Sequence, residues 1–274
     1  MTTINNLDSL RALTGLSQAS AKVSQASERI STGLRINRAS DDVGGMAVAN
    51  GLKTQIGSYT KVLDNVSQGS TVTQLVDTSL SQMVNILGYM RVAAVASLSD
   101  TLSTAQRTAY QSSMTAYATS ITSIATNSTW NGTSLMTSAS TMNIQTGVNS
   151  SGTTTLTFDQ TTSASLLVSG LLTDTLANAA LAVTAIDTAL TTVNTYQAYI
   201  GSMTKVMDAQ YDVATSAITN YSASYGTIMN ADYAAETANL AAAQIQRDGA
   251  TAMLVQGNGL NRSLVDYLLS SVSN

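Results

Sequence analysis

The chain has 274 residues, 44% of them hydrophobic, enough to bury a sizeable core, and it contains no proline, cysteine or histidine. Disulfides, thiolate nucleophiles, imidazole bases and most zinc or iron sites are thereby excluded, and no proline stands ready to break a long helix at a cost of about 3 kcal/mol. Charged residues make up only 10% and the net charge is −4 with no basic stripe, which argues against a nucleic-acid partner and leaves a Ser- and Thr-rich surface that is easy to desolvate against other copies of the chain. No run approaches 18 consecutive apolar residues, so no membrane insertion is expected. The opening Met-Thr-Thr-Ile-Asn-Asn-Leu-Asp lacks the basic and apolar regions of a secretory signal.

Residues 3–36 place Ile4, Leu7, Leu10, Leu13 and Leu16, then Ala19, Val23, Ala26 and Ile30, on what reads as one narrow aliphatic helix face. Residues 1–40 carry five basic against two acidic side chains and residues 230–274 carry two against four, so the two ends are electrostatically suited to lie together. Gly33 breaks the first helix. Ser40, Asp41 or Asp42 then caps the second, since a short side-chain oxygen satisfies the free amides of a first turn. With no base or second functional group nearby, the paired carboxylates read as caps rather than as acid/base catalysts.

The second helix spans about 42–98, its best heptad being Val76, Leu80, Met83, Leu87, Met90 and Ala94. Six glycines inside it each weaken it by about 1 kcal/mol, so tertiary packing must carry it. Ser99-Asp100 reads as the cap of a third helix with Tyr110, Met114, Tyr117, Ile121 and Ile124 along its seam. That helix runs into Trp130, read as a hydrophobic plug, and the turn signal Asn131-Gly132. Met142 and Ile144, then Leu156 and Phe158, alternate apolar with polar on either side of a Gly-rich segment and predict a β-hairpin.

The most regular stretch follows. Ala179, Val183, Ile186, Leu190, Val193, Gln197, Ile200, Thr204, Met207, Tyr211, Ala214, Ile218, Tyr221, Tyr225 and Ile228 are spaced alternately by four and three, with only Gln197 and Thr204 polar. Such a repeat keeps one helix seam facing a partner over roughly 75 Å. A break at Asn230-Ala231-Asp232 precedes an Ala-rich helix whose last turns carry Leu260, Leu264 and Leu268 on one face. The expected fold class is mostly α: an elongated antiparallel helical bundle or coiled coil with one small β-hairpin at the distal end.

Three motifs carry a resemblance. Glu28-Arg29-Ile30-Ser31-Thr32-Gly33-Leu34-Arg35-Ile36-Asn37 followed by Asp41-Asp42, the Trp130-Asn131-Gly132 turn, and Ala231-Asp232-Tyr233-Ala234-Ala235-Glu236 with Ala243-Gln244-Ile245 closely resemble bacterial flagellin, in the right order and over nearly the whole chain. The resemblance implies a structural subunit of the flagellar filament in a minimal form without large outer domains, its terminal helices ordering on assembly. It implies an inner coiled coil from residues 1–38 and 230–274, an outer helical domain from 39–130 and 173–229, and a hairpin connection at 131–172. Ile4, Leu7, Leu10, Leu13 and Leu16 with Leu260, Leu264 and Leu268 would form the inner-tube assembly interface. Arg29, Leu34, Arg35, Ile36, Asn37, Asp41, Asp42, Asp232 and Tyr233 would form the spoke and inter-subunit contact.

The implied partners are the chain itself as a homopolymer, an export chaperone, the filament cap and the hook-filament junction proteins. The implied location is the extracellular filament, reached by the flagellar type III route without a cleaved signal peptide, and no cofactor, metal or enzymatic activity is implied. Two departures from the family stand out. Thr227, Met229 and Asn230 occupy a segment where relatives carry an Arg and an acidic residue. In the segment that relatives present to the innate Toll-like receptor for flagellin, Tyr89 and Val92 stand beside Arg91 where a second Arg and a Glu are usual, so weak receptor activation is expected. A hook-filament junction protein and a non-polymerising secreted helical binding module are the competing readings.

Overall fold

The computed structural model describes residues 7–272. In chain order the elements are α1 (Leu7–Thr32), α2 (Val43–Ala96), α3 (Thr104–Asn127), the short strands β1 (Thr129–Trp130) and β2 (Thr133–Ser134), the hairpin strands β3 (Ser140–Gln145) and β4 (Thr153–Phe158), α4 (Leu176–Met229) and α5 (Tyr233–Val272). The class is mostly α, as the periodicities predict. The chain forms two compact units, one of residues 55–219 and one of the segments on either side, up to residue 54 and from residue 220.

Within the unit of residues 55–219, α2, α3, α4 and the hairpin share one core. Every member of the predicted α2 heptad, from Val76 to Ala94, is fully buried. Along α4 the predicted seam is buried at Ala179, Ile186, Val193, Ile200, Met207 and Ala214, but Tyr211 is exposed. A second row of Ala182, Ala189 and Tyr196, spaced by seven, is also buried. An α4 that packs on two helices needs a face wider than a two-position seam, and the small alanines of the second row do not stand out in an apolar pattern. Gln197, polar within the seam, donates its amide to Asp77 Oδ1 at 3.1 Å and Ser81 Oγ at 2.9 Å. By length and composition α4 is apolar enough to cross a membrane, yet its apolar rows are spent on this core.

The third helix starts later than expected. Ser103, not Ser99 or Asp100, is its cap: Ser103 Oγ accepts from Gln106 N while Gln106 Oε1 accepts from Ser103 N, a reciprocal capping box. Arg107 is buried there and donates to the carbonyls of Ser97 and Ser99, which satisfies groups left free where α2 ends. The hairpin pairs Met142 with Leu156 and Ile144 with Thr154. Gly69 of α2 is the one interior glycine of that helix with a packing reason in this unit, since a Cβ there would press on Ile144 and Met207 at 3.2 Å. The Asn131-Gly132 turn, with both residues at positive φ, closes β1 onto β2, and Trp130 packs half-buried on the core.

Candidate assembly surfaces

The second unit holds most of the residues singled out by sequence. Gly33, at φ +70, ends α1 in the left-handed conformation, its amide donating to Arg29 O at 2.9 Å. The chain then zips against the end of α4. Leu34 bridges Asn230, Arg35 N donates to Met229 O at 2.6 Å, and Ala231 N donates to Gly33 O at 2.9 Å. The Arg35 guanidinium donates to Ile228 O through Nε and Nη2 at 3.3 and 2.9 Å, satisfying a carbonyl of the last helical turn. Ile36 is buried against Met229 and Ala49. Met229 therefore fills space in a segment where relatives are expected to carry charge.

The two carboxylates after this loop divide the work. Asp42 Oδ1 accepts from Gly45 N at 2.8 Å and caps α2. Asp41 Oδ2 accepts from the amides of Asn37 and Arg38 at 3.0 and 2.9 Å, and those bonds hold its carboxyl below the usual aspartate range, helped by Arg29 and Arg38. Asp232 caps α5 through the amides of Ala234 and Ala235, and Tyr233 Oη donates to Ile30 O at 2.6 Å. Arg29 Nη1 meets Glu236 Oε1 at 2.9 Å with the Glu236 side chain only 10% exposed, so this ion pair is largely out of water. All nine spoke candidates thus lie in one hydrogen-bonded and packed cluster, and Glu236, Ile228, Met229 and Asn230 join it. Glu236 was visible in the Ala-Asp-Tyr motif, but nothing in the sequence said which cation it meets.

Antiparallel α1 and α5 pack along a seam in which half the residues are small. Its buried or half-buried members include Ser9, Ala12, Leu16, Ala19, Val23, Ala26 and Ile30 on α1, and Glu236, Leu240, Ala243, Arg247, Ala250, Leu254 and Gly257 on α5, both rows spaced by threes and fours. The approach is close: a Cβ on Gly257 would sit 3.0 Å from Ser9 Oγ. The leucine face read from the sequence is a correction here. Leu7, Leu10 and Leu13 are exposed, and only Leu16 joins the seam. Steps of three fall about 60° short of a full helical turn, so from Leu7 to Leu16 the leucines walk roughly halfway around the helix.

Leu260 is likewise exposed, beside Ile245, Met253, Val255, Val265 and Leu269 on α5. Ile4 lies outside the described residues, as do the side chains of Leu264 and Leu268. The α1 and α5 helices thus leave large apolar side chains unburied within this unit.

A model of the bacterial flagellin N-terminal helical region matches residues 4–141, and one of the C-terminal helical region matches residues 183–268. The chain belongs to the bacterial flagellin family. It is 28% identical over 221 residues to phase 2 flagellin of Salmonella abortus-equi, covering 80% of this chain and 40% of that one. Flagellin A of Helicobacter pylori is 33% identical over 109 residues, 40% of this chain and 21% of the relative. The matches thus span well under half the length of these curated relatives. Among solved structures, Bacillus cereus flagellin superposes with a TM-score of 0.50 at 26% identity, over 59% of this chain and 94% of that one. A chain described as a flagellar hook-associated protein of Vibrio parahaemolyticus superposes at 0.59 with 14% identity, over 69% and 100%, a likeness of fold alone.

Tyr89, Arg91 and Val92 of this flagellin-family chain, expected from the resemblance to correspond to a receptor-recognised segment, lie on α2 in the unit of residues 55–219. Tyr89 and Val92 are exposed, Tyr89 with its ring 6.1 Å from that of Tyr117. Arg91 is already engaged: its Nε meets Asp187 Oδ1 at 2.6 Å across to α4, which lowers the Asp187 pKa and raises that of Arg91. Both side chains are about half exposed, so the pair is screened by solvent.

Proposed function

We propose that this chain is a structural subunit of a bacterial flagellar filament, polymerising head-to-tail so that α1 and α5 form the inner coiled coil and the spoke cluster joins them to the outer helices. The observation that carries the reading is the exposed apolar set on α1 and α5: about half or more of Leu7, Leu10, Leu13 and Leu260 is left uncovered by the described residues of the chain that bears them. Burial stabilises by about 25 cal/mol per Å², so several hundred Å² per contact outweighs the ordering of the helices. A seam half made of Ser, Ala and Gly leaves Leu7, Leu10 and Leu13 outside it, which supports terminal helices that complete their order only on assembly. Contacts that are heterologous and do not close extend the same patch into an open helical array.

Family membership further supports location in the extracellular filament, export by the flagellar type III route, and handling by an export chaperone, the filament cap and the hook-filament junction. The test is seeded polymerisation watched by electron microscopy. Micrometre filaments are expected from the intact chain and none from a chain lacking residues 1–20. A product that stops at a short ring would point to a junction protein, and a monodisperse monomer under all conditions would refute assembly altogether.

A further inference from the structure

Between α1 and α5 lies a groove of about 300 Å³ lined by Lys22, Gln25, Ala26 and Arg29 on one side and Glu236, Asn239, Ala242, Ala243 and Gln246 on the other. Its floor is alanine, and small side chains on both helices are what open it. Its walls are polar. Lys22, Gln25 and Arg29 repeat at three and seven residues and so share one face of α1, as Asn239 and Gln246 do on α5.

Most of these polar groups are unused. Among the described residues Lys22, Gln25, Asn239 and Gln246 make no hydrogen bond or ion pair, and Arg29, although bound to Glu236 through Nη1, has a buried Nε with no partner. Two cations face one carboxylate, so the lining is positive while the chain as a whole is at −4. An incoming second copy therefore brings an excess of carboxylates to a site with spare donors.

We propose that in the assembled filament this groove receives an acidic side chain from a neighbouring copy, held by the exposed Lys22 beside the positive charge of Arg29, with the flanking amides completing its hydrogen bonds. This rests on the filament reading above and adds the chemistry of one contact within it. Covering the groove with apolar surface would strand several donors at about 1–3 kcal/mol each, whereas a carboxylate accepts from them directly. The space holds an aspartate or glutamate side chain and a few waters, each taking up about 30 Å³. The exposed leucines supply non-directional adhesion, and a single charged key among them fixes how far one α1–α5 pair is displaced along the next.

Lys22 is the only lysine in α1 or α5, which makes the test clean. Filaments grown from equal parts of isotopically light and heavy chain are treated with a zero-length carbodiimide, and the links are mapped by mass spectrometry. The expected result is a Lys22–Asp or Lys22–Glu link with mixed-isotope peptide pairs, present in filaments and absent from unassembled chain. In parallel, Lys22→Gln should raise the critical concentration about three- to tenfold and Lys22→Arg should restore it. Normal filaments in which Lys22 links only to Glu236 of its own chain or to nothing, or in which Lys22→Gln assembles like the parent, overturn the proposal while leaving the filament reading intact. A parent chain that never elongates seeds sinks both.

Discussion

Replacing Leu10 and Leu13 together by alanine separates assembly energy from folding energy, because both side chains are more than half exposed in the single chain, at 60% and 52%. Each substitution removes the equivalent of about three methylene groups, worth roughly 0.8 kcal/mol apiece when fully buried. A little over half of that surface is left to be covered by neighbours, so each leucine carries about 1.2 kcal/mol of the assembly step and the pair about 2.5 kcal/mol. At 1.4 kcal/mol per tenfold, the critical concentration for seeded growth, measured by sedimentation, should rise roughly fiftyfold. Alanine is the best helix former, so α1 itself loses nothing by the change. Thermal unfolding of the unassembled chain should therefore stay near that of the parent. A critical concentration within about threefold of the parent would refute the placement of these leucines in an interface. Equal losses in both assays would mean that they pack within the chain.

Four further outcomes follow from named contacts. Asp42→Ala removes the cap of a helix whose first turn contains Gly44 and Gly45 and should cost about 1 kcal/mol in thermal unfolding, with Asp42→Asn nearly neutral. Asp41 has a pKa lowered below 3.8 by the amides of Arg38 and Asn37. Its contribution is therefore complete above about pH 4 and lost as pH falls through the lowered value, and the protection factors of those two amides, exchange rates divided into the intrinsic rate at each pH, should stay constant from pH 7 to 5 in the parent and be much smaller throughout in Asp41→Ala. The Tyr196 phenol is pushed up to about 12, chiefly by burial, which outweighs the opposing pull of the Asp159 backbone and is helped by the Asp159 carboxylate. The unfolded chain thus ionises first and stability should fall between pH 10 and 12. Its hydroxyl meets the Asp159 backbone only in a poorly formed contact, so Tyr196→Phe should change stability at pH 7 by less than about 1 kcal/mol and remove that alkaline slope. A receptor reporter assay should give a weak response or none, because Tyr89 and Val92 offer no charge and Arg91 is engaged by Asp187; a full response at ordinary flagellin doses would overturn this.

What the sequence disclosed depended on how sharply each element announces itself. The α2 heptad and the hairpin were legible because large apolar residues alternate with polar ones at a fixed period, and the period alone sets which side is inward. The cap of α3 was misplaced at Ser99-Asp100 even though Ser103 and Gln106 have capping-box spacing, since both are plausible caps and only the course of the chain chooses between them. The row Ala182, Ala189 and Tyr196 was missed because alanine is equally at home inside and outside a helix bundle. The spoke residues were recognisable as a motif, but their joint purpose, closing residues 33–36 onto residues 228–231, is backbone pairing that side-chain identity does not report.

The error over the α1 leucines is the instructive one, because it reverses which residues do which task. Had leucines at steps of three and four formed the seam, α1 and α5 would bury their large side chains on each other and have little left for neighbours. With Ser9, Ala19 and Ala26 buried there the helices approach closely, and Leu7, Leu10 and Leu13, walking around the outside, remain available. Lengthening the seam residues tests this division of labour. Ala19→Leu should overpack the contact with α5 and destabilise the chain by about 1–3 kcal/mol, the reverse of the Leu10 and Leu13 result, since Ala19 is 3% exposed and lies away from the groove that Ala26 lines. If Ala19→Leu instead stabilised the single chain, the close seam would not be the reason that the outer leucines are free.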